Sequence, residues 1–134
     1  MTPAENTKLI QDAYVAFGRR DVPALMNMMT DDVDWQAIVG ASSKVPTSGR
    51  RVGHQAVTQF FSDLAQSADF ERFEPREFVA ERDKVVVLGH YTGTSKLTGR
   101  RFASDWVMIF TLRDGKVVHF REFADVAAIN AAYE

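Results

Sequence analysis

Between residues 67 and 70 the spacing of apolar side chains changes from a period of about 3.6 to a period of about 2. Before the change, Ile10, Ala13, Tyr14 and Phe17 share one helical face, and Val57, Phe60, Phe61 and Leu64 share another. After it, segments 70–81, 84–95, 100–113 and 116–124 are rich in Val, Phe, Tyr, Thr and Ile, which pack well on a pleated surface. Helices gathered at one end and strands at the other bury their apolar faces by stacking the helices on a sheet, which is an α+β plan.

Local signals set the boundaries. Thr2-Pro3-Ala4-Glu5 reads as a capping box with proline in the first turn, so a helix is predicted over 3–18, stopped by Gly18. Asp21 can cap a second, short helix carrying Leu25, Met28 and Met29, closed by Thr30-Asp31-Asp32. A strand is predicted over 33–39, then a loop over 40–53 rich in Gly, Ser, Pro and Arg, then a third helix from Gly53 to about Ser67. Asp125 can cap a last short helix with Val126, Ile129 and Tyr133. Arg82-Asp83 and Asp114-Gly115 suit tight reversals and Leu97-Thr98-Gly99 a longer one, so the four strands form an antiparallel meander. Pro75 has no N–H to give to a ladder, which makes the first of the four bent or an edge strand.

Composition narrows the function classes. With 134 residues, 46% hydrophobic and 25% charged, the chain is expected to be one folded domain, residues 1–134. Sixteen basic and eighteen acidic residues give a net charge of −2, so the broad cationic field of a nucleic-acid binder is missing and no nucleic-acid partner is expected. The start lacks a basic stretch followed by an apolar one, and no run of 18 apolar residues occurs, so neither a secretory leader nor a membrane partner is expected. The absence of cysteine removes thiol chemistry and fits a cytoplasmic setting. Three histidines without HxxxH or HxH spacing, and no glycine-rich phosphate loop, lead us to expect neither metal nor cofactor.

The last hairpin carries the inference about faces. A two-residue turn at Asp114-Gly115 pairs Asp105 with Ala124, Val107 with Glu122 and Ile109 with Phe120. One face of this pair then holds Asp105 and Glu122 among apolar neighbours. The other holds Trp106, Met108, Phe110, His119, Arg121 and Phe123, too apolar a set to be left in water. Helices cover one face, and the simplest cover for the other is a second copy of the chain. A homodimer is therefore expected through the convex sheet face, with Trp106, Met108, Phe110 and Phe123 at its seam.

Several local sequences resemble one family. They are Tyr14-Val15-Ala16-Phe17, Thr30-Asp31-Asp32-Val33-Asp34-Trp35, Gly53-His54-Gln55-Ala56-Val57, and Arg113-Asp114-Gly115-Lys116-Val117-Val118 followed by Phe120-Arg121-Glu122-Phe123-Ala124-Asp125. Together they resemble the SnoaL-like group of the nuclear transport factor 2-like superfamily, which also holds ketosteroid isomerase and limonene epoxide hydrolase, and the resemblance covers nearly the whole chain. It implies a cone-shaped fold in which three N-terminal helices pack on a strongly curved antiparallel sheet around a mostly apolar pocket, commonly in a dimer. It also implies that the oxyanion-hole tyrosine of ketosteroid isomerase falls on Tyr14, its base on Ala37 and its buried acid on Val107. The last-strand carboxylate of limonene epoxide hydrolase falls on Glu122, while its Arg and Asp fall on Gly89 and Tyr91.

The candidate polar cluster is thus Glu122 and Asp105 on neighbouring strands, with Tyr14 and Tyr91 reaching the same cavity. Two carboxyls in an apolar cavity push each other's pKa apart, leaving one proton donor and one acceptor near neutrality. The alternative pairs Glu122 with Arg101 or Arg121 at the rim and leaves Asp105 to accept backbone hydrogen bonds as plain structure. Phe17, Trp35, Phe60, Tyr91, Val107, Ile109 and Phe120 are the expected pocket wall and equally at home in a core. Gly89 joins them because a strand glycine leaves room for a ligand. His90 and His119 are expected on the convex side and His54 in solvent, while Arg50-Arg51 meets either water or an anionic group at the pocket mouth. The expected partner is a small apolar or amphipathic molecule of polyketide, steroid or terpenoid type. Three readings stay open: acid–base isomerisation, hydration or cyclisation with Glu122 as base, non-catalytic binding, or a structural dimer with a filled cavity.

Overall fold

The computed structural model describes residues 1–134. Thr2 opens α1 (Pro3–Gly18) through both halves of a capping box: its hydroxyl accepts from the Glu5 N–H at 3.1 Å, and the Glu5 carboxylate accepts from the Thr2 N–H at 3.0 Å. Asp21 caps α2 (Val22–Asn27) and Asp125 caps α4 (Val126–Ala132), each accepting from an N–H three residues on. Between them lie β1 (Met29–Gln36), β2 (Arg50–Val52), α3 (His54–Ser67), β3 (Ala68–Glu81), β4 (Lys84–Ser95), β5 (Arg101–Arg113) and β6 (Lys116–Ala124). The first strand starts at Met29, four residues before its predicted start, and the 40–53 segment contributes the short strand β2. The architecture is the expected α+β, with four helices against a six-stranded sheet.

The sheet runs β2-β1-β6-β5-β4-β3. The four-strand meander is antiparallel, but β1 joins β6 in parallel, so the whole sheet is mixed. β3 is an edge strand and its register breaks between Pro75 and Glu77, so Pro75 sits where a residue without an N–H costs least. That break, a second between Phe70 and Arg72, and others in β1 and β6 bend the strands. α1 packs on β3 and β4, and α3 on β1 and β3. No helix is long and apolar enough to cross a membrane.

The register of β5 on β6 departs from expectation. Next to the turn the pairing is as a two-residue hairpin requires, Arg113 with Lys116 and Leu112 with Val117. Then Val118 is skipped, and beyond it Phe110 faces Phe120, Met108 faces Glu122 and Trp106 faces Ala124. The bulge moves β5 by one residue, and because strand side chains alternate, that exchanges its faces. Trp106, Met108 and Phe110 are buried in the core rather than on a convex seam, while Asp105, Val107 and Ile109 point outward. Phe123 is on the outer face as expected, 45% exposed.

Gly89 also plays a part other than the predicted one. It lies opposite Trp106, and a Cβ there would sit 2.2 Å from the indole and 2.5 Å from the Glu74 carbonyl oxygen. The space is taken by the tryptophan of the neighbouring strand, leaving none for a ligand. Gly93 opposite Phe102 repeats the arrangement, with 2.6 Å to that ring. Gly89→Ala is expected to destabilise the fold by about 2 kcal/mol through overpacking, measured as a shift of the urea midpoint at unchanged slope.

Candidate functional site

The curved sheet and α1, α2 and α3 form a partly open cavity of about 90 Å³ whose wall has 21 residues, 19 of them hydrophobic. Glu122 and Thr47 are the other two. Of the residues predicted from sequence, Tyr14, Phe17, Trp35, Phe60, Tyr91, Phe120 and Glu122 line this cavity. Asp105, Val107 and Ile109 do not, because the bulge at Val118 turns them to the other side of the sheet, and Gly89 does not because Trp106 covers it. Asp105 is 87% exposed and its carboxylate lies 2.8 Å from His90 Nδ1 on the outer face. The expected pair of buried carboxyls is therefore a single carboxyl.

Glu122 is 4% exposed. Neither arginine weighed as its partner reaches it: Arg101 pairs with Glu71 at 3.0 Å and Arg121 with Asp34 at 3.0 Å. Its carboxylate accepts from the Tyr91 hydroxyl at 2.8 Å. Burial without a cation pushes its pKa up to about 7, against which the hydrogen bonds from Tyr91 and from the Ile38 backbone pull down. A carboxyl poised there exchanges a proton readily at neutral pH.

Two phenols flank it. Burial and the nearby Glu122 charge hold both Tyr14 and Tyr91 protonated far above the ordinary phenol range. Tyr91 already donates to Glu122, whereas Tyr14 donates only to the Met108 thioether at 3.0 Å, a weak acceptor. Tyr14 reaches this position from α1 and is held by aromatic contacts with Phe78, Phe110 and Trp106.

Ile38 follows β1 with a φ of +44°, a conformation that costs a β-branched residue about 1–3 kcal/mol. The other non-glycine residues at positive φ, Arg20, Arg82 and Asp114, occupy the turns after α1, β3 and β5. Ile38 instead lies against β6, where its backbone meets the Glu122 carboxyl and the next N–H, of Val39, donates to the Glu122 carbonyl at 2.9 Å. The strained residue thus stands beside the one buried acid.

The 40–53 segment forms part of the wall. Its arginines do not face an anionic ligand: Arg50 makes a bidentate pair with Asp34, and Arg51 binds Asp63 at 2.9 Å and the Pro46 carbonyl at 2.9 Å while lying over the Phe60 ring. Arg50 and Arg121 hold the Asp34 carboxyl down to about 2. No histidine lines the cavity, and His54 bonds the Met29 carbonyl at 3.1 Å rather than standing in solvent. Thr47, Ile38 and Met108 are wall residues that sequence reasoning missed. Thr47 lies in a segment with no hydrophobic period to reveal a facing, Ile38 lies in the predicted strand but beyond the end of β1, where the alternation of faces no longer applies, and Met108 is on the face opposite to the expected one.

Comparison with known proteins agrees with this architecture. The sequence model of the SnoaL-like domain matches residues 10–120. An NTF2-like protein from Burkholderia xenovorans LB400 superposes with a TM-score of 0.91 at 32% identity, covering 100% of this chain and 99% of that one. An NTF2-like protein of Burkholderia pseudomallei K96243 gives 0.86 at 27% identity over 96% and 97%. TerC, co-crystallised with polyporic acid, gives 0.83 at 28% identity over 96% and 98%. No curated protein matches the chain. A family match over most of the sequence, together with near-complete structural overlap, establishes that the chain belongs to the SnoaL-like domain family of NTF2-like fold.

Proposed function

We propose that the chain is an acid–base enzyme that moves a proton on a neutral, mainly apolar small molecule, with an isomerisation or cyclisation as the outcome. One observation carries the reading: Glu122 is buried in an apolar cavity without a cation, an environment that pushes its carboxyl up to about 7. In the carboxylate form it takes a proton from the carbon next to a carbonyl. The electron pair moves onto the carbonyl oxygen, where the Tyr14 hydroxyl donates to it. Return of the proton from Glu122 to a different carbon completes an isomerisation; attack of the enolate carbon on a second carbonyl, whose oxygen then takes the proton from Glu122, completes a cyclisation, and neither changes the redox state. That TerC was co-crystallised with polyporic acid supports a small-molecule site in this fold.

A second reading is a non-catalytic receptacle. It is favoured by Ala37, which stands in the cavity wall where the resemblance to ketosteroid isomerase expects the base. Screening cyclic ketones and phenols for thermal stabilisation and turnover, with wild type and Glu122→Gln side by side, separates the two. A ligand that stabilises both proteins but is transformed by wild type alone supports the enzyme, and equal stabilisation without turnover supports the receptacle.

A homodimer through the outer sheet face belongs to the same proposal, with a revised seam. Leu88 at 37% and Phe123 at 45% exposure, with the outward-facing Val107 and Ile109 between them, make the apolar surface there. Sedimentation at low micromolar concentration is expected to show a dimer that Phe123→Asp weakens at least about tenfold, and a wild-type monomer would overturn it.

A further inference from the structure

We propose that the Thr47 hydroxyl is a second recognition group of the cavity, and that the part of the ligand held inside is a neutral single ring carrying two oxygen functions. The proposal rests on reading this cavity as the ligand site and adds the residue and the chemistry that select the ligand. Thr47 is 3% exposed and, with Glu122, is one of the two wall residues outside the hydrophobic set. The hydrogen bonds around it pass it by: Arg51 binds the Pro46 carbonyl, and the Ser48 N–H donates to the Val45 carbonyl. The Thr47 side chain makes no hydrogen bond within the protein, so its hydroxyl is open to bond what enters the cavity. The Tyr14 hydroxyl, bound only to a thioether, is nearly as free. These two groups, with the buried and unpartnered indole N–H of the wall residue Trp35, ask for at least two ligand oxygens.

Charge narrows the class further. No Lys, Arg or His lines the cavity, and Arg51 and Arg121, the arginines nearest its frame, are spent on Asp63 and Asp34. An anionic ligand would be desolvated without a counter-charge and beside the Glu122 carboxyl. Size narrows it again. The cavity is about 90 Å³, whereas an apolar protein cavity that takes up benzene measures roughly 150 Å³. Met28, Met29 and Met108 in the wall supply the yield, since unbranched thioether side chains repack readily. One ring is accommodated in this way, and a fused pair fits less well.

The test is calorimetric titration with phenol, the three benzenediols, benzoate, benzylamine and 2-naphthol, on wild type, Thr47→Val, Thr47→Ser and Glu122→Gln, each checked for folding by its thermal melt. At least one benzenediol is expected to bind wild type about 5- to 10-fold more tightly than phenol. Thr47→Val should bring that advantage below about twofold while leaving phenol unchanged, and Thr47→Ser should keep it. The proposal is overturned if Thr47→Val leaves the advantage intact or if no benzenediol binds. It fails equally if benzoate, benzylamine or 2-naphthol binds as tightly as phenol. These are binding measurements, so a diol that binds through Thr47 yet is turned over by nothing sinks the acid–base reading alone. Turnover of a ligand indifferent to Thr47→Val sinks only this one.

Discussion

Glu122→Gln is expected to lower turnover by about 10²- to 10⁴-fold, the usual contribution of a positioned proton-transfer group. Glutamine keeps the volume and an oxygen that can accept from the Tyr91 hydroxyl, so the cavity wall survives while the proton acceptor is lost. Because the carboxyl titrates at about 7, wild-type kcat/KM should rise with pH through neutrality as the carboxylate forms, and the residual activity of the variant should lack that limb. A loss of less than about threefold, or an unchanged pH limb, means that Glu122 is not the base.

The same carboxyl should also leave its mark on stability without any substrate. Its pKa is raised from 4.5 to about 7 on folding, so between those values the folded chain holds a proton that the unfolded chain has released. Stability is then fully present below about pH 4.5, declines as pH rises toward 7, and levels off above it, with a total loss of about 3 kcal/mol from this group. Groups of the opposite sign act lower: Asp34, held down to about 2, contributes stability above its unfolded value that disappears in acid. The measurement is denaturant unfolding of wild type and Glu122→Gln at intervals from pH 5 to 8. The difference between the two should change in favour of the variant by about 2.5 kcal/mol across that range. Parallel profiles would show that the carboxyl is hydrated in the folded protein.

Much of this molecule could be read from its sequence because local chemistry and global fold agree. The capping box at Thr2, the caps at Asp21 and Asp125 and the change of apolar period placed most elements to within a residue or two, and the parity of β6 put Glu122 on the inner face. β2 escaped because three residues in a glycine- and arginine-rich segment carry no period, and its pairing with β1 is non-local. The interior face of β5 was misassigned for a different reason. A two-residue turn at Asp114-Gly115 extended as a regular ladder puts Asp105, Val107 and Ile109 inside, although Phe102, Trp106, Met108, Phe110 and Leu112 form the larger apolar set. Burying that set together with Phe120 demands one extra residue in β6. Val118 carries no glycine or proline to mark a bulge, so only the conflict between the two strands' apolar faces could have shown it.

The skipped Val118 has an evolutionary meaning. Which side chains of the hairpin see the interior depends on how many residues lie between the turn and the site, and not only on which residues they are. A single inserted or deleted codon near the Asp114-Gly115 turn acts as a frame switch for the sheet, exchanging Asp105, Val107 and Ile109 with Trp106, Met108 and Phe110 opposite Glu122. Lineages of this fold can therefore relocate a functional group through an indel, and alignments that close such a gap to gain identity pair inward residues of one protein with outward residues of another.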